Sequence, residues 1–191
     1  MSKNYIDNYG FTGEDYTTNA LPKGEYENCT FSHCTFINAD LSDITFIECS
    51  FEGCDLSMAK VKDAAFRDIQ FKNCKLMGLR FDECNDFLLA LDFEDCLLNY
   101  TSFYRLKLKN TKFKDCKMED VELSEADLTY AVFPNCDLSG AMFDNTILEN
   151  ADFRTAINYT IDPENNLIAR AKFSIQGIAG LLGKYKIVIE N

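Results

Sequence analysis

The chain has 191 residues, with 31 acidic against 19 basic side chains, a net charge of −12, one His, nine Cys and no Trp. That length suits one domain, the acidic balance argues against direct nucleic-acid binding, and an odd cysteine count without closely spaced pairs argues against a disulfide framework or zinc site. Met1–Gly10 has no basic start and no long apolar run, so neither signal peptide nor anchor is expected and a cytoplasmic location is.

Residues 1–28 read as an N-terminal cap and a degenerate first coil, in which Phe11, Tyr16, Leu21 and Tyr26 begin a five-residue beat. From Phe31 the beat is strict: Phe36, Leu41, Phe46, Phe51, Leu56, Val61, Phe66, Phe71, Leu76 and Phe81 follow. Neither a helix, at 3.6 residues per turn, nor a flat strand, at 2.0, has a period of five. A repeat solenoid does. Two residues before most beats stands a smaller residue, as in Cys29, Cys34, Ala39, Cys49 and Cys54, so each pentad offers one large and one small inward group to fill a narrow interior. Ile44, Ile69, Leu79, Leu91, Leu106 and Val121 put larger groups in the small slot and predict local bulging of the wall.

All nine cysteines occupy that slot and read as reduced, compact apolar filler. Cys34, Cys54 and Cys74, and again Cys96, Cys116 and Cys136, are 20 residues apart and stack in columns; a metal bound along such a column is the alternative. Between Phe81 and Phe93 the beat slips by two residues, a break near 82–92 that is either a kink or a small projecting loop. The second frame then runs from Phe93 through Phe103, Phe113, Phe133 and Phe143 to Phe153, closing a repeat region of residues 29–153.

Residues 154–191 form a C-terminal cap. Asp162, Pro163 and Glu164 predict a helix start, Ser174 through Leu182 a short capped helix ended by Gly183, and Tyr185–Glu190 a terminal strand.

The segments Ala39–Asp40–Leu41–Ser42, Ala126–Asp127–Leu128–Thr129, Cys136–Asp137–Leu138–Ser139 and Ala151–Asp152–Phe153–Arg154 resemble the pentapeptide-repeat family. The resemblance implies an all-β solenoid, a right-handed quadrilateral β-helix with four pentads per coil, and about six coils would span roughly 30 Å. The tail, with Ile161–Asp162–Pro163, Leu181–Leu182–Gly183 and Ile187–Val188–Ile189, is similar to the C-terminal dimerisation module of the Qnr-type quinolone-resistance and microcin-immunity branch. That likeness implies a homodimer through Ile175, Ile178, Leu181, Leu182, Ile187 and Ile189, the alternative being a monomeric cap.

Charge is uneven along the chain. Glu119–Asp152 holds nine acidic residues and no Lys or Arg, whereas Lys60–Lys117 holds twelve basic against nine acidic. In a dimer joined at the C-termini the acidic coils lie at the centre of a double-length rod, which should repel nucleic acid and attract basic grooves that hold it. With the family likeness this implies a DNA mimic that binds DNA gyrase or another type II topoisomerase and modulates or protects it against an antibiotic or toxin. Glu119, Asp120, Glu122, Glu125, Asp127, Asp137 and Asp144 would stand in for phosphates. The alternative is an interaction scaffold with an unrelated protein partner, its carboxylates serving only as a solvated surface.

Catalysis, a cofactor and a membrane partner are not expected. No glycine-rich phosphate loop or nucleophile elbow is present, and His33, two residues after Phe31, points outward while Cys29 and Cys34 point in.

Overall fold

The computed structural model describes residues 4–188. The chain winds as a parallel β-solenoid whose coils repeat every 20 residues, and each coil lays four short walls around a filled interior. The first wall holds β1 (Asn4–Asp7), β3 (Gly24–Glu27), β5 (Thr45–Ile47) and β7 (Ala65–Arg67). The second holds β2 (Gly10–Thr12), β4 (Thr30–Ser32), β6 (Ser50–Glu52), β8 (Ile69–Lys72), β9 (Leu91–Glu94) and β10 (Phe113–Lys114). Single parallel bridges build the others: Asp15 to Thr35, Asp55, Lys75, Leu97, Lys117, Asp137 and Ile157 on the third wall, and Arg80 to Ser102, Glu122 and Met142 on the fourth.

The five-residue beat has a direct structural cause. In each pentad the large and the small residue point inward, the residue between them pairs outward with the coils above and below, and the chain then turns a corner through a residue with positive φ. Asn, Asp and Gly serve at most corners because they tolerate that backbone best. Gly140, at φ 68°, is one such corner, and a Cβ there would lie 2.2 Å from Asp120 Oδ1. Gly140→Ala is expected to cost about 1–2 kcal/mol, read as a lower midpoint in urea unfolding.

Two columns organise the interior. Phe11, Phe31, Phe51, Phe71, Phe93, Phe113, Phe133, Phe153 and Phe173 stack face to face behind the second wall, their centroids 4.6–5.4 Å apart. Cys34, Cys54, Cys74, Cys96, Cys116 and Cys136 form the second column behind the third wall. It is one run rather than two, because the bridge from Lys75 to Leu97 carries the wall across the break. The thiols are free, and those of Cys54, Cys74, Cys96 and Cys136 donate to the carbonyls of Phe31, Phe51, Phe71 and Phe113 at 3.0–3.4 Å. Thr101, Thr146 and Asn166, three buried polar residues of other small slots, do the same toward Leu76, Leu123 and Phe143. Cysteine is therefore more than filler here: it offers a weak donor to a buried carbonyl at small volume.

Three of the six larger residues in small slots leave the wall's register undisturbed, while Ile69, Leu79 and Leu91 stand where the offset is 22. Ile44, Leu106 and Val121 are buried, and the pairings beside them, Thr45 with Ala65, Lys107 with Asp127 and Glu122 with Met142, keep the 20-residue offset. The interior takes up their volume instead of the backbone.

At the break the offset changes once. Ala65 pairs with Asn85, but Ile69 pairs with Leu91, so the two extra residues lie between Asn85 and Leu91, at the corner joining the first and second walls. Phe87 and Leu88 project there, each 64% exposed, and the Arg67 guanidinium lies 5.7 Å from the Phe87 ring centroid.

Wall pairing continues past Phe153, where the sequence pattern fades. Asp137 pairs with Ile157, Ile147 with Leu167 and Asp152 with Lys172, and Phe173 completes the aromatic stack. The predicted helix start at Asp162 is instead a turn, in which Asp162 Oδ1 accepts a hydrogen bond from the Glu164 amide. The expected Ser174–Leu182 helix shortens to a 3-10 turn at Ile178–Leu181, followed by another at Gly183–Tyr185. That second turn replaces the start of the expected terminal strand, and Ile187 and Val188 show no strand pairing; Ile189 and Glu190 lie outside the described residues.

Close packing against Tyr159 explains the tighter geometry. A Cβ on Gly177 would fall 2.1 Å from the Tyr159 hydroxyl, and one on Gly180 would fall 2.2 Å from its carbonyl oxygen. The turn is drawn onto the solenoid end, where the Ile161 amide donates to the Gly180 carbonyl at 3.0 Å. Lys184 reaches back to Asp162 at 2.8 Å and Glu164 at 2.5 Å, which holds both carboxyls below their usual range. The buried Tyr159 hydroxyl has no hydrogen-bond partner among the described residues. Tyr159→Phe is expected to stabilise the fold by about 1 kcal/mol, measured by thermal unfolding.

Candidate protein-interaction surface

The seven carboxylates singled out in the sequence fall on three walls. Glu119, Asp120 and Asp137 stand on the third, Glu122, Glu125 and Asp144 on the fourth, and Asp127 on the first. The third and fourth walls adjoin along the corner occupied by Asp120, so six of the seven share one side of the rod. Asp127 stands on the first wall, past the corner occupied by Glu125.

Their charge states differ. Glu125 is bound by Arg105 at 2.7 Å and by the Tyr104 hydroxyl at 2.8 Å, and the guanidinium holds its carboxyl below the usual range. For Asp127, burial opposes ionisation, but Thr129 and Lys109, the latter at 3.1 Å, outweigh it and lower its pKa. Asp137 is lowered by the Asn158 amide, which donates to it at 2.8 Å, and by Ser139. Among the described residues Glu119, Asp120, Glu122 and Asp144 make no ion pair. Glu119 accepts from the Asn99 side chain at 3.0 Å, and Glu122 from the Ser124 amide at 2.8 Å.

The neutralising cations come from one coil earlier. Arg105 and Lys109 precede their partners by 20 and 18 residues, outside the run that contains no Lys or Arg. A count along the chain misses them, although an offset of one coil would have found them.

Among the described residues no group of three or more His, Cys, Asp and Glu side chains is arranged to hold an ion. Burial pushes the Cys49 and Cys84 thiols up to about 12. His33 lies at an exposed corner, its ring over Gly53. A groove beside the break, lined by Asp68, Gln70, Leu89, Asp92 and Lys109, is open to solvent. No helix among the described residues is long and apolar enough to cross a membrane.

At the C-terminal end Ile175, 88% exposed, together with Ile178 and Ile187, presents an apolar surface. Leu181 and Leu182 are half-buried, Leu181 against the core. Ile189 is outside the described residues.

Comparison with known sequences and structures agrees with this architecture. The profile described as the pentapeptide repeat region matches residues 23–87, 44–121 and 87–160. The chain belongs to the pentapeptide-repeat family. No curated protein matches it in sequence. Among solved pentapeptide-repeat structures it is similar to two trypsin-treated forms of QnrB1, a plasmid-mediated fluoroquinolone resistance protein, each with a TM-score of 0.62 and 18% identity. One alignment covers 98% of this chain and 100% of that one, the other 96% and 99%. At that identity the likeness establishes a shared fold.

Proposed function

We propose that this pentapeptide-repeat protein is a non-enzymatic, cytoplasmic DNA mimic that binds DNA gyrase or a related type II topoisomerase and modulates or protects it. The observation that carries this reading is the cluster of carboxylates without an ion pair among the described residues, Glu119, Asp120, Glu122 and Asp144, on two adjoining walls of a filled rod. Fixed carboxylates on coils about 4.8 Å apart give a charge spacing within reach of a phosphate backbone's. A groove built to attract DNA attracts such a surface for the same electrostatic reason. Two copies joined through Ile175, Ile178, Leu181, Leu182, Ile187 and Ile189 would bring two such surfaces into one longer rod. The fold is also that of QnrB1, a fluoroquinolone resistance protein.

A second reading, a scaffold for an unrelated protein, draws on the pairing of Glu125 and Asp127 with Arg105 and Lys109, which reduces the charge available for mimicry. Supercoiling by purified gyrase, with and without a quinolone and over a range of salt, separates the two. Under the mimic reading the protein inhibits supercoiling or relieves the drug, and the effect fades as salt rises. No effect on either and no salt-dependent binding would leave the scaffold.

A further inference from the structure

The third wall carries a second, apolar set of exposed side chains. Ile37, Met58 and Tyr100 are 38%, 59% and 58% exposed, and Met77 and Leu97 are half-buried between them. These five come from four successive coils of one wall. The Met58 amide donates to the Met77 carbonyl at 2.9 Å, and the Met58 side chain lies across Gly78, where a Cβ would come 2.4 Å from its sulfur. Met58 and Met77 thus adjoin at the middle of the stripe, where the corner is kept low by a residue without a side chain.

It also runs without a gap into the acidic surface. The Tyr100 amide donates to the Glu119 carbonyl at 2.9 Å, so the last apolar coil is hydrogen-bonded to the first acidic one. From the coil of Ile37 to that of Asp137 the wall spans about 24 Å; its first part carries the apolar side chains beside one ion pair, Lys75 with Asp55 at 3.7 Å, and its second carries Glu119, Asp120 and Asp137 beside Lys117. Mimicry of a phosphate backbone explains the second part only. Exposed apolar side chains gain little in water, whereas methionines adapt to an apolar surface of a partner.

We infer that the third wall is a two-part docking face whose occupant is a protein with a basic groove bordered by an apolar ledge: the carboxylates engage the groove and the stripe from Ile37 to Tyr100 seats on the ledge. This rests on the proposed topoisomerase binding and adds a prediction about its energetics. The acidic part supplies the salt-dependent share of affinity, and the stripe supplies a share that persists at high salt.

The test uses the full chain with Met58→Asn and Met77→Ser, outward substitutions that leave net charge unchanged, with Asn suited to the positive φ of Met58. Binding to purified gyrase is titrated over a salt series, beside thermal unfolding and sedimentation of the protein alone. The expected result is a roughly tenfold loss of affinity at every salt concentration, with an unchanged slope of log Kd against log salt, an unchanged melting point and unchanged sedimentation. Wild type that binds while the variant binds equally well overturns this inference and leaves the proposed function standing. Wild type that fails to bind overturns both. A smaller sedimenting species for the variant shows a second copy on the stripe, and likewise overturns the inference.

Discussion

Phe113→Ala should be among the most damaging single substitutions in the chain, costing about 3–5 kcal/mol in denaturant unfolding. Phe113 is fully buried in the middle of the aromatic column, stacked at 5.1 Å on both Phe93 and Phe133 and edge-on to Phe103 at 5.8 Å. Deleting the ring empties a site that neighbours on one closed coil cannot collapse to fill. The comparison is Phe173→Ala, at the half-buried end of the same column with one stacked neighbour, Phe153, where about 1 kcal/mol is expected. Equal losses at the two positions would show that the column is not what holds the coils together.

Charge reversal at Glu119, Glu122 and Asp144 should reduce gyrase binding by at least about 100-fold at low salt, because three attractive contacts become repulsive ones. These are carboxylates without an ion-pair partner among the described residues, so the change reaches the partner directly. The control is the same reversal at Glu52, Asp68 and Asp92, on and beside the second wall and likewise without an ion pair among the described residues, which alters net charge equally but on another face. It should change binding by no more than about threefold. If both variants lose affinity alike, net charge rather than a defined face governs the interaction. If neither does, the acidic surface has no part in it.

Much of this architecture was legible because one physical rule repeats. Outside the break between Asn85 and Leu91, the inward positions from Phe31 to Phe153 are set by a corner every five residues, so the beat of Phe and Leu directly records the geometry. The Tyr16, Leu21 and Tyr26 coil was readable for the same reason, and all three side chains are buried. Legibility fell where tertiary contact replaces the beat. Asn158 and Pro163 occupy large-slot positions, so the pattern stops at Phe153, yet wall pairing reaches Lys172 because Tyr159 and Ile161 fill the interior in their place. The helix from Ser174 had the right apolar spacing, but packing of Gly177 and Gly180 on Tyr159 tightened it to 3-10 turns. On the surface, the carboxylates were found but their cations were not, since Arg105 and Lys109 are neighbours in the coil direction rather than along the chain. The apolar stripe was hidden similarly: Ile37, Met58, Met77 and Tyr100 lie about 20 residues apart and share no local pattern.

The two residues taken in between Asn85 and Leu91 show how this architecture can lengthen. The coil closes around them, the thiol column crosses the same coil unbroken, and only the corner swells. A corner of this kind is a natural splice point: a recognition peptide grafted there would cost only the slowly rising entropy of closing a larger loop, leaving the interior as it was. Variation among such proteins can therefore accumulate as ornament at the corners, on a frame that need not be rebuilt to acquire it.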